Sequence, residues 1–64
     1  MLLNDLYAEI SSLEVQIEVY EEKFDMALQN PNQLGYARQI YRDIKTLEGR
    51  LADLRILLNQ KLAR

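Results

Sequence analysis

The chain lacks cysteine, histidine and tryptophan, and its 64 residues include one proline and two glycines. Each absence removes a class of chemistry. Without cysteine there are no disulfide staples and no thiolate metal sites. Without histidine the commonest metal ligand and the commonest general base are both missing. No stretch approaches the roughly 18 uncharged apolar residues of a membrane span. The opening MLLNDLYAEI has no basic segment and meets Asp5 and Glu9 at once, which is unlike a secretory signal. The expected setting is therefore the cytoplasm, without a membrane partner. A formal net charge of −2 suggests neither a strong nucleic-acid binder nor an acidic tail.

Length permits one small domain over residues 1–64. Such a chain is near the lower limit at which a single hydrophobic core stabilises a monomer. Further stability must come from regular helix packing or from another chain.

What the sequence does contain is a heptad pattern, stated twice. Leu3, Leu6, Ile10, Leu13, Ile17, Tyr20, Phe24 and Ala27 follow one another at alternating steps of three and four residues. That spacing places them on one helix face, as the a and d positions of a coiled-coil seam. Ala37, Ile40, Ile44, Leu47, Leu51, Leu54, Leu58 and Lys61 repeat the rule, and only Lys61 is polar. Gly49 falls at an outer f position, where it costs about 1 kcal/mol of helix propensity relative to Ala without breaking the helix.

Between the two seams stands Asn30-Pro31. Proline disfavours helical geometry at the residue before it, so Asn30 should leave the first helix. Asn30 also suits an N-cap, Pro31 the first helical position and Gln33 the far corner of a capping box. The second helix starts there, or a turn later if Gly35 belongs to the loop. The expected elements are a first helix over about 2–29, a turn over about 30–35 and a second helix over about 32–63.

A reversal, rather than a kink, follows from matching the seams. Pairing residues whose numbers add to 64 gives Phe24–Ile40, Tyr20–Ile44, Ile17–Leu47, Leu13–Leu51, Ile10–Leu54 and Leu6–Leu58, every layer joining an a to a d position. The small pair Ala27–Ala37 falls beside the turn. Charge agrees: residues 1–30 carry seven acidic and one basic side chain, residues 31–64 seven basic and three acidic. On the flanks this register lets Lys23 reach Asp43 and Tyr7 stack on Arg55, but it sets Glu14 near Glu48, a mismatch. The fold class is all-α, an antiparallel two-helix hairpin of coiled-coil type. Its loop-straightened, domain-swapped dimer is the rival arrangement.

Apolar residues spill beyond the seams. Leu2, Tyr7 and Leu28 flank the first, and Leu34, Tyr36, Tyr41, Leu57 and Leu62 the second, while Val15, Val19 and Met26 line the far side of the first helix and Ile56 that of the second. Any one of these alone is an ordinary surface residue. Together they point to burial against a second chain, with assembly as a four-helix bundle the simplest product. The candidate partner interface is Leu2, Tyr7, Val15, Val19, Met26, Leu28, Tyr36, Tyr41, Ile56, Leu57 and Leu62.

Other chemistries have less to rest on. Carboxylates recur four residues apart, as in Asp5/Glu9, Glu14/Glu18, Glu18/Glu22 and Glu21/Asp25. Such pairs bind cations or move protons in some proteins, but bundle metal sites usually add histidine, so a solvated acidic face is the expectation. Ser11 and Ser12 have no histidine to activate them, and no glycine-rich phosphate loop exists. No catalytic residue, cofactor, metal or small-molecule substrate is expected. Arg38, Arg42 and Lys45 with Tyr41 form the densest basic cluster and the candidate nucleic-acid surface. Asp43, Glu48 and Asp53 interrupt the basic row beside a strongly acidic helix, which favours a protein partner.

In general build the chain is similar to small helical-hairpin proteins such as the plasmid RNA-modulator hairpins. Through a tyrosine after the turn and LEGRLADLRILL in its second helix it also looks somewhat like the short co-chaperones of needle-type secretion systems. Leu-Glu pairs in heptads are common to countless helices, and neither likeness assigns a family or transfers a functional residue. The sequence points to a non-enzymatic module of adaptor, regulator or small-chaperone type. It would self-associate as a homodimer, dock on a partner protein, or both; the alternative is a nucleic-acid-binding hairpin dimer using the second helix.

Overall fold

The computed structural model describes residues 2–63. Helix α1 spans Leu3–Leu28, a single 3-10 turn Pro31–Gln33 follows, and helix α2 spans Leu34–Leu62. Proline dictates where the first helix stops. Asn30 is extended, with φ −115° and ψ 110°, the geometry a following proline imposes. Just before it, the Gln29 and Asn30 amides donate to the Met26 and Ala27 carbonyls, both at 3.2 Å. These i to i−3 bonds tighten the last turn of α1 and satisfy carbonyls that would otherwise be orphaned.

The next turn begins at the same residue. Asn30 Oδ1 accepts from the Asn32 amide at 3.0 Å, and the Asn30 carbonyl accepts from the Gln33 amide at 2.9 Å. The Asn cap is thus present, but the reciprocal half of a capping box is not. The Asn30 amide that a Gln33 side chain would satisfy is already bonded to Ala27. Gly35 lies within α2, and the chain has no residue with positive φ among those described. The reversal therefore uses proline, a side-chain cap and one 3-10 turn rather than a left-handed glycine.

The described chain measures 51 × 15 × 14 Å. One unbroken helix of this length would reach on the order of 90 Å at 1.5 Å per residue, so the chain folds back on itself. Its core divides into two apolar clusters. Leu6, Ile10, Leu13, Ile17, Leu51 and Leu54 fill the open-end half, with Leu47, Leu57 and Leu58 packed against them. Ala27, Ala37, Ile40 and Ile44 fill the turn half, with Tyr20 and Phe24 alongside. Both members of every expected layer lie in the same cluster. Ala27 and Ala37 are 1% and 2% exposed, so two small side chains let the helices approach where the connection is shortest.

Ion pairs across the hairpin agree with the same register, but not through the flank contacts expected from sequence. Glu14 accepts from Arg55 Nη2 at 3.1 Å, and Glu9 pairs with Arg50. Each arginine sits one turn away from the layer partner of its glutamate's seam neighbour. The Glu14–Glu48 mismatch disappears, because Glu48 turns to Lys45 on its own helix at 3.3 Å. Arg55, expected to stack on Tyr7, is held by Glu14 instead. Lys23 does not reach out to Asp43: it lies over the Tyr20 ring at 5.5 Å, and Asp43 accepts from Gln39 at 3.0 Å. For Lys23, Asp43 and Glu48, contacts within one helix, which need less side-chain reach, take the place of contacts across the hairpin.

Candidate interaction surface

Heptad arithmetic sorts the exposed apolar residues by face. In an antiparallel pair the e positions of both helices share one flank of the seam and the g positions share the other. Tyr7, Leu28, Leu34, Tyr41 and Leu62 occupy e positions. Leu2, Tyr36 and Leu57 occupy g positions. Val15 and Ile56 stand at f, and Val19 and Met26 at c, on the outer sides of their helices. The residues singled out from sequence are therefore spread over the molecule rather than joined in one patch. Leu57 is half-buried against the open-end core, whereas Leu2 and Met26 are 74% and 70% exposed.

One flank has shape as well as apolar area. Near the turn, Phe24, Leu28, Leu34 and Tyr41 line an open cavity of about 320 Å³, with Arg38 and Arg42 at its rim. Phe24 comes from the seam and is half-buried; its ring meets Tyr41 at a centroid distance of 6.0 Å and a tilt of 44°. A second cavity of about 310 Å³ continues along the same flank, where Glu21 and Asp25 of α1 face Lys45 and Glu48 of α2. Three apolar residues of the first cavity, Phe24, Leu34 and Ala37, are not among the candidate interface residues read from sequence. Phe24 belongs to the seam pattern, and nothing in that pattern marks it as reaching the surface. Leu34 carried a usable signal, an apolar e position one turn before Ala37.

Comparisons of the chain with models of protein families, with curated proteins and with solved structures return no match.

Electrostatics divide the flank lengthwise. Its α1 edge presents Glu14, Glu18, Glu21 and Asp25 without a cation; its α2 edge presents Arg38, Arg42, Lys45 and Arg55 with Glu48 as the lone anion. Lys45 also lies over the Tyr41 ring at 5.3 Å. The hydrogen bond and charge of Glu48, with a smaller contribution from Tyr41, hold the Lys45 ammonium above the ordinary lysine range. Among the described residues, no three carboxylates converge to hold a metal ion and no helix is long and apolar enough to cross a membrane. What the flank offers chemically is an apolar groove between an acidic and a basic edge.

Proposed function

We propose that the protein is a non-enzymatic, cytoplasmic interaction module whose hairpin buries one flank against another helical surface, in the first instance a second copy of itself in a four-helix bundle. The observation that carries this reading is surface area. The hairpin exposes 4989 Å². A compact monomer of the same 7.5 kDa mass exposes about 4,200 Å². The surplus, on the order of 700–800 Å², is about one partner's share of a standard interface. Much of it comes from the elongated shape, which a second hairpin laid alongside would correct. Apolar side chains on the buried flank supply the driving force, and the charged edges supply orientation.

Sedimentation equilibrium over micromolar concentrations tests the reading. The expected result is a species above 7.5 kDa whose share rises with concentration. A concentration-independent monomer would refute self-association and leave docking on a different protein, which a pull-down with mass spectrometry would read.

The nucleic-acid alternative draws on Arg38, Arg42 and Lys45 around Tyr41. It is the weaker reading, because Lys45 already engages Glu48 and the acidic edge of α1 lies across the groove from the cluster. Mobility-shift assays at two salt concentrations separate the two, since phosphate contacts weaken steeply with salt.

A further inference from the structure

We infer that a second copy of this chain docks on the grooved flank with the two-fold axis running along the hairpin's long axis, so that both turns lie at the same end. The inference rests on the self-association reading above and adds the face and the symmetry. Two hairpins laid flank to flank as an antiparallel bundle have two symmetric solutions. With the axis along the hairpin, α1 of one copy lies over α2 of the other. With the axis across it, α1 lies over α1, α2 over α2, and the turns point to opposite ends.

Charge separates the two solutions. Helix α1 carries seven acidic residues and one basic one. Crossing it on its own copy brings Glu14 and Glu18, which flank its midpoint on the grooved side, against each other. Laying it on α2 instead sets the acidic edge of each copy against the basic edge of the other. The layer register supplies the heights: Arg38, Arg42 and Lys45 stand level with Met26, Glu22 and Val19 of their own hairpin. Across the long-axis dimer they therefore stand within one residue's rise of Asp25, Glu21 and Glu18 of the second copy, all on the grooved side. At the turn end, the cavity lined by Phe24, Leu28, Leu34 and Tyr41 closes onto its own symmetry mate. At the open end Tyr7 and Leu62 do the same. Like-charge juxtaposition penalises the wrong partner orientation more than attraction strengthens the right one, which is how charge selects geometry in an apolar interface.

The chain has no cysteine, so single spin labels are placed cleanly. Asn32→Cys marks the exposed turn and Gln60→Cys the exposed open end. Distances between copies are read by pulsed electron resonance on each singly labelled dimer, after sedimentation has shown its oligomeric state. The long-axis dimer places both pairs of labels within about 30 Å, a few helix-packing spacings. A dimer in which either pair is separated by roughly the 51 Å hairpin length has its turns at opposite ends and overturns the inference alone. A short distance at Asn32 combined with one on the order of 90 Å at Gln60 identifies exchanged, straightened chains, and also overturns it. Sedimentation as a monomer defeats the self-association reading itself, before any distance is measured.

Discussion

Glu14 accepts a hydrogen bond from Arg55 at 3.1 Å, although Glu48 is the closer residue in the layer register of the two seams. The pair spans the hairpin on the grooved flank, and both side chains are about half exposed. Exposed pairs of this kind contribute little, because water and salt screen them. A double-mutant cycle on Glu14→Gln and Arg55→Gln should give a coupling of about 0.5 kcal/mol that shrinks toward zero in 1 M salt. Glu14→Gln with Glu48→Gln should give none. A measurable repulsive coupling between the two glutamates would mean that the register differs from the one described.

Leu13 and Leu51 carry far more. They are 4% and 7% exposed and share the open-end cluster. Truncating either to Ala should cost about 2–5 kcal/mol in chemical denaturation, the usual penalty for a cavity in a packed core. Losses under roughly 0.5 kcal/mol at both sites would be incompatible with a shared layer.

Those layers are the part of the structure that was legible in the sequence. Steps of three and four residues name the buried face of each helix, and one register then matches every a to a d position. Backbone chemistry at Asn30-Pro31 announces the reversal, because proline constrains its neighbour regardless of context. The flanks were not legible in the same way. Glu14, Lys23 and Arg55 have long side chains with several acceptable partners within reach, and differences well under 1 kcal/mol decide among them. Nor does a heptad pattern show that Phe24 is wide enough to reach past the seam and floor a cavity.

Gly49 offers a gain rather than a loss. It lies in the interior of α2 on the outer face, with negative φ, and an added Cβ would meet nothing within 4 Å. Gly49→Ala should stabilise the hairpin by about 0.5–1 kcal/mol, by raising helix propensity and restricting the unfolded chain. The same change at Gly35, in the first turn of α2, should give a smaller gain. Thermal unfolding at matched protein concentration reads both. A fall in stability or in oligomer size for Gly49→Ala would put a second chain against the outer face, where the proposed dimer leaves solvent.

The charged edges of the groove make the most demanding prediction. Arg38→Glu with Arg42→Glu turns the basic edge acidic without touching a buried residue. Helicity should persist while self-association weakens by at least about tenfold, equivalent to 1.4 kcal/mol. Glu21→Lys with Asp25→Lys should weaken it similarly from the other side. Mixed in equal amounts, the two variants should recover a dimer containing one chain of each, because opposite edges then face one another again. Arg50→Gln supplies the control, since Arg50 pairs with Glu9 on the ungrooved flank. That variant should dimerise like the parent chain, so a loss as large as that of the Arg38 and Arg42 pair would assign the interface to the other flank.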